Sequence, residues 1–437
     1  MRRLVFIVGL LLALPSRGAA QGEPARDTTL TLQEAIDAAL AQHPTLRVGE
    51  ATVDAAQERV RQQVAGYLPR GAYVYNYTRK KQAITAAVGG VQAGQPARAT
   101  SQLFNFNSTN FSMSQLLFDF GRTLDSIRAA IASVEASNAD LDTTRQTVIL
   151  NTKQAYYSVL ANQRLLQVAD ETVRQNQKHL EEAQARFQVG LAPRFDVTQA
   201  RVQLSTAQLN QVTARNNVAL ARETLRTAMG VTGPFPFVLV DTLQRGTLTL
   251  NDEALLTQAY THRPELQSIQ AQQRAATEQV SALQKQYLPS ITGNAQYNWS
   301  GREYPLQQGW LWAVTLTFPL FDDFQVVGQV GEAKANLRGL QAQEDNLRQQ
   351  IALEVRQSFL NVQQAEESIG VSEQTVGQAQ ENLAIAEGRY AAGVGNIIEL
   401  TDAQVLLTSA QANNIQALAT YKTAVAQLEK AINQRLE

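Results

Sequence analysis

Two hydrophobic periods divide this chain. Between about residues 290 and 320, Ile291, Gly293, Ala295, Tyr297 and Trp299 alternate with Thr292, Asn294, Gln296 and Asn298. Trp310, Trp312, Val314, Leu316 and Phe318 then alternate with Leu311, Ala313, Thr315 and Thr317. A period of two marks strands with one apolar face. A weaker copy lies upstream, where Gly71, Tyr73, Tyr75 and Tyr77 oppose Ala72, Val74, Asn76 and Thr78. Its partner sets Phe111, Met113 and Leu117 against Ser112, Ser114 and Leu116. Strands are predicted at about 70–79, 109–119, 290–299 and 310–320.

The remainder carries helical periods. From Gly121 to about Phe187 no proline or glycine intervenes, which at about 1.5 Å per residue allows a rod of roughly 100 Å. Its apolar positions run Ile127, Val134, Leu141, Val148 and Ala155, shift by four to Val159, and resume at Leu166, Val173, Leu180 and Phe187. Ile351, Ser358, Val362, Ile369, Val376, Leu383 and Tyr390 show the same phase shift. A four-residue insertion into heptads unwinds a supercoil locally, which suits helices laid side by side in a wide tube. Short breaks at Val189–Pro193 and Ala392–Asn396 contain Gly190 and Gly393. They read as the tips of two antiparallel helical hairpins, far from the strands.

The chain is written twice. Pro44, Tyr67, Leu68 and Pro69 recur as Pro264, Tyr287, Leu288 and Pro289 at an offset of 220. Phe118-Asp119, Arg186-Phe187, Gly190 and Asp196 recur as Phe321-Asp322, Arg389-Tyr390, Gly393 and Glu399 at 203. Two tandem repeats, 21–240 and 241–437, follow, the first with a longer loop. Each begins with a short helix, at Thr31 to Gln42 and Leu250 to His262, that a proline interrupts, and each Leu-Pro reads as a helix end leading into strand. The extra length falls at about 80–107, a segment rich in Ala, Gly and Gln that bears Arg79, Lys80, Lys81 and Arg98 and is expected to face the exterior.

Arg2 and Arg3, the apolar run Leu4 to Leu14 and the small residues Gly18, Ala19 and Ala20 predict a cleaved secretory signal over 1–20. No other apolar stretch suffices for a membrane helix, so the mature chain either is soluble outside the cytoplasm or enters a membrane as strands. Aromatic residues Tyr297, Trp299, Trp310 and Trp312 cluster at the loop end of the second hairpin, as in a transmembrane strand pair at the lipid interface. An ordinary sheet on a soluble core is the competing reading. Four strands cannot close a barrel, so other copies must complete the ring: eight strands in a dimer, twelve in a trimer.

Chemistry is sparse. There is no cysteine, and a formal net charge of −1 gives no case for nucleic acid. His43, His179 and His262 are scattered, Met1, Met113 and Met229 form no soft-metal relay, and no phosphate-binding glycine loop occurs. No enzyme, cofactor or metal site is expected.

Through the duplication, the Leu-Pro junctions and the segments RFQVGLAPRFDVTQA (Arg186 to Ala200) and RYAAGVGNIIELTDAQ (Arg389 to Gln404), the chain resembles the outer membrane efflux protein family, the TolC-like channel-tunnels of Gram-negative bacteria. The resemblance covers essentially the whole mature chain. It implies a mostly α fold with transmembrane strands, assembled as a homotrimer with a twelve-stranded outer-membrane barrel in lipid and a periplasmic α-barrel. It also implies a periplasmic adaptor and an inner-membrane pump of RND or ABC type as partners. Glu399 and Asp402 match two inward carboxylates at the periplasmic entrance, with Asp196 near the same end. Tyr390 matches a tip tyrosine that helps hold the entrance closed together with an arginine, where this chain has Gly395. Arg186, Gly190, Leu191, Arg389, Gly393 and Val394 match the adaptor-docking tips, and are equally ordinary helix-stop residues. Small-molecule efflux is favoured over protein secretion. A non-conducting coiled-coil scaffold or adhesin remains as the alternative from a different class.

Overall fold

The computed structural model describes residues 29–85, 99–233, 236–246 and 251–436. The predicted leader and the centre of the long loop lie outside them. The architecture is mostly helical with a small sheet at one end.

Two helices of 67 residues dominate, α3 (Arg122–Gln188) and α7 (Gln325–Ala391). Each turns back into a shorter helix, α4 (Arg194–Ala228) and α8 (Ile397–Ile432). Both turns close alike. The Leu191 N–H donates to Arg186 O at 2.8 Å and the Val394 N–H to Arg389 O at 3.1 Å. Gly190 and Gly393 take φ of 76° and 75°, the left-handed region where a side chain is penalised.

The other helices flank these rods. Helices α1 (Leu32–Gln42) and α2 (Pro44–Val64) pack on α3, whereas α5 (Asp252–His262) lies against α7 and α8 and α6 (Pro264–Gln284) bridges α3 and α7. The corners at His43 and Arg263 are extended, with ψ of 127° and 122°, because each precedes a proline that starts the next helix.

The repeated Phe-Asp pair proves to be the start of each rod. Asp119 accepts from the N–H groups of Gly121 (3.1 Å) and Thr123 (2.8 Å), and Asp322 accepts from that of Val326 (2.9 Å). Each carboxylate therefore satisfies first-turn donors that the helix itself cannot.

The main core lies mid-molecule, where Tyr156, Leu160, Leu225, Ile351, Ile369, Leu428 and Ile432 are buried together. There β1 (Thr29–Leu30) pairs in parallel with β4 (Val238–Leu239). The Tyr156 hydroxyl lies 3.0 Å from Leu30 O and 2.7 Å from Val240 O, tying both segments to α3. Burial pushes the Tyr156 phenol up to about 12, so it remains a donor. Two-residue strands are too short to show a period in the sequence.

The membrane-candidate sheet has the order β2 (Arg70–Thr85), β3 (Ala99–Phe118), β5 (Ser290–Gly301) and β6 (Gln307–Thr317), antiparallel throughout. Its strand ends correct the sequence expectation. Strand β2 continues past residue 79 and β3 begins well before 109, so much of the expected loop at 80–107 is paired ribbon. Residues 86–98, with Arg98, lie outside the described residues. Strand β6 ends at Thr317, leaving Phe318 and Leu320 beyond it. The ribbon escapes an alternation test because neither of its faces is apolar throughout: Lys80 opposes Phe104 and Lys81 opposes Leu103.

A buried charge cluster joins the start of α3 to the end of α6. Asp125, 1% exposed, lies 2.5 Å from Lys285 Nζ and accepts a hydrogen bond from the Ser281 hydroxyl. Burial alone would raise this carboxyl, but the bonds from Lys285 and Ser281 outweigh it and hold it below the usual aspartate range.

Candidate functional site

The two hairpin tips form the first region of interest. Leu191 and Val394 stand 78% and 69% exposed at their ends, as apolar points with nothing of this chain over them. Arg186, at the end of α3, reaches across to the second repeat. Its guanidinium lies 4.7 Å from the centre of the Tyr390 ring, and its Nη2 donates to Ala391 O at 3.0 Å. Tyr390 is 4% exposed and packs with Ile397 and Leu400. Its buried hydroxyl has no hydrogen-bond partner among the described residues. Burial raises the Tyr390 phenol, and the nearby Asp196 carboxylate raises it further. Asp196 is itself half-buried, and this desolvation raises its carboxyl above the ordinary value.

The position of the expected tip arginine has a steric explanation. A Cβ on Gly395 would sit 3.0 Å from Tyr390 N and 3.1 Å from Arg389 C, and the Gly395 N–H donates to Arg389 O. A side chain at 395 would thus press on the turn's own backbone, which would have to give by a few tenths of an ångström. Arg186 occupies the Tyr390 ring instead, from the other repeat. Separated by 204 positions, this pair has no signature in local spacing.

Glu399 and Asp402 do not present two equivalent carboxylates. Arg389 Nε lies 2.8 Å from Glu399 Oε1. Asn396 caps the helix by accepting from the Glu399 N–H at 2.7 Å. Asp402 is exposed one turn later and forms no ion pair among the described residues. Per chain the trio Arg389, Glu399 and Asp402 sums to −1, so a pair of free charges overstates the acidity of this end.

The sheet is the second region. Register places Tyr73 beside Phe111, Phe111 beside Tyr297 and Tyr297 beside Trp310. One aromatic row therefore crosses all four strands on one face. Trp299 lies against Tyr297 with ring centres 4.5 Å apart and planes tilted by 53°, and Trp310 and Trp312 are 77% and 69% exposed in the single chain. Tyr73 and Phe111 extend the cluster inferred from the second hairpin; cross-strand register is the signal that finds them. The opposite face aligns Asn110 with Asn298, Ser112 with Gln296, and Ser114 with Asn294. Among the described residues no helix is long and apolar enough to cross a membrane, and no cluster of three or more His, Cys, Asp or Glu is placed to hold a metal.

A sheet that is aromatic and exposed on one face and polar on the other, carried at the end of helical hairpins about 100 Å long, defines a mostly helical protein of the mixed helix-and-sheet class. The chain belongs to the outer membrane efflux protein family, whose model matches residues 35–231 and 255–434. It is 27% identical to outer membrane protein TolC of Escherichia coli over 338 residues, 73% of this chain and 65% of TolC. It is 25% identical to the toluene efflux pump outer membrane protein TtgF of Pseudomonas putida, over 66% of this chain and 59% of that protein. The chain thus aligns with less than two thirds of the length of these relatives. The fold is that of the Neisseria gonorrhoeae MtrE outer membrane channel in its open state, with a TM-score of 0.76 at 19% identity over 93% of this chain and 89% of that one.

Proposed function

We propose that this protein is the outer-membrane exit duct of a tripartite export system. Three copies would close a twelve-stranded barrel in the outer membrane and continue it as a helical tunnel through the periplasm. The exposed tips would dock on a periplasmic adaptor served by an inner-membrane pump. Small-molecule efflux is the favoured activity, in line with the toluene efflux named for TtgF. The duct conducts passively; it has no catalytic role.

The observation that carries this reading is the aromatic row Tyr73, Phe111, Tyr297 and Trp310 backed by a polar face. Unpaired strand edges cannot stay in hydrocarbon, so a four-stranded sheet with this surface requires partner copies. The row marks a membrane interface, which aromatic side chains occupy because they are apolar with polar tips. At the other end, three copies of the exposed Asp402 would set carboxylates around a narrow entrance and favour cations there.

Planar-bilayer recording of the detergent-purified protein tests both ends. Reproducible channels are expected, with a cation preference that falls in Asp402→Asn and rises in Arg389→Gln, which frees Glu399. A protein that stays monodisperse in detergent-free buffer and never inserts would instead favour the coiled-coil scaffold.

A further inference from the structure

The polar face of the sheet changes character beyond the aromatic row. Ser114, Ser112, Asn110 and Ser108 line that face of β3, and the next two residues on it are Phe106 and Phe104. Large apolar rings on a wet face need cover, and here cations supply it. Lys80 Nζ lies 5.9 Å from the Phe106 ring centre, and the Arg302 guanidinium lies 3.8 Å from that of Phe104. Arg302 comes from the β5–β6 turn, so the cluster bridges the two hairpins. Arg79 and Lys81 alternate with Lys80 and therefore project from the opposite, aromatic side.

The charge balance at this end is one-sided. No Asp or Glu occurs from residue 70 to residue 118, and Glu303 is the sole acid from 290 to 317. Arg79, Lys80, Lys81 and Arg302 against Glu303 leave +3 per chain, in a protein whose formal net charge is −1. A guanidinium stacked by its face on a ring keeps its N–H edge free for carboxylate, sulfonate or phosphate oxygens. The outer face of that guanidinium, held flat by the ring beneath it, offers a surface on which an aromatic group stacks.

We infer that Lys80, Arg302, Phe104 and Phe106 form an exit-rim subsite on the lumen face that takes aromatic anions. The inference rests on the duct reading for its position in a lumen, but its binding test does not require conduction. In the trimer, six cations and six rings would surround the outer mouth, opposite in sign to the entrance. The cationic mouth draws anionic cargo outward along the last part of its path.

Pyranine, a trisulfonated pyrene dye, is a suitable probe, read by fluorescence anisotropy on protein in a non-ionic detergent. Wild type should bind it at low salt and lose binding at about 1 M salt, where the screening length is about 3 Å. Lys80→Gln/Arg302→Gln should weaken binding by about tenfold, whereas Arg79→Gln/Lys81→Gln should stay near wild type. Phe104→Leu/Phe106→Leu should weaken pyranine more than tripolyphosphate, which has no ring to stack. Equal affinity in wild type and Lys80→Gln/Arg302→Gln overturns the inference, as does a loss confined to Arg79→Gln/Lys81→Gln, which would place the anions on the lipid side. In bilayers, pyranine added at the exterior should block wild type and spare Lys80→Gln/Arg302→Gln. Binding without any wild-type channel would sink the duct reading and leave the subsite standing; channels without binding would do the reverse.

Discussion

At the scale of single residues, the tip is held by one cation that sequence reading assigns to docking. Arg186 joins the two repeats through a ring contact and a backbone hydrogen bond. At a partly exposed site these are each worth about 0.5–1.5 kcal/mol. Arg186→Met should therefore loosen the tip by about 1–2 kcal/mol, seen as faster hydrogen exchange at the ends of α3 and α7. The melting temperature should barely move, because the core lies elsewhere. Asp196 adds a pH dependence whose sign follows from its raised carboxyl. A carboxyl raised in the folded state contributes stability that is present below its unfolded value and is lost as pH rises through the folded value. The tip should therefore exchange more slowly in acid than at neutral pH, after correction for intrinsic rates, and Asp196→Asn should flatten that difference. Asp125 runs the other way: its lowered carboxyl stabilises the junction above the ordinary aspartate value and stops doing so as pH falls through the folded one.

At the scale of elements, much was legible and the misses have physical causes. The long rods follow from runs free of proline and glycine, and the Phe-Asp repeats of the 203 offset turn out to cap them. The extension of β2 and β3 beyond residues 79 and 109 was not legible, because a ribbon with no uniformly apolar face is held by backbone bonds that carry no residue code. The pairs Arg186–Tyr390 and Lys153–Glu429, the latter buried between α3 and α8, depend on how rods lie against each other. The tip turn gives a direct test of local sterics. Gly395→Arg, although it restores the residue type expected from family resemblance, should strain a turn whose backbone already stands 3.0 Å from the new Cβ. A loss of about 1–3 kcal/mol is expected, read as local proteolysis at residues 392–396 with the rest of the molecule intact. Tyr156→Phe should cost about 1 kcal/mol in global unfolding, since it releases both β1 and β4 from the core.

For the whole molecule, the sequence by itself determined the duplication, the helical hairpins and the presence of strands with one apolar face. These are repeated local signals: period, proline and glycine placement, and caps act within a few residues, so they survive without coordinates. The tertiary structure alone decided what sits beside what. Register aligned Tyr73, Phe111, Tyr297 and Trp310 from four separate strands into one row. Packing of the tips paired Glu399 with Arg389 and left Asp402 exposed, and the second turn brought backbone to 3.0–3.1 Å from where a side chain at 395 would begin. Charge and contact between distant residues depend on three-dimensional distance, which a one-dimensional pattern does not contain; that is why the elements were readable in advance and the composition of both ends of the molecule was not.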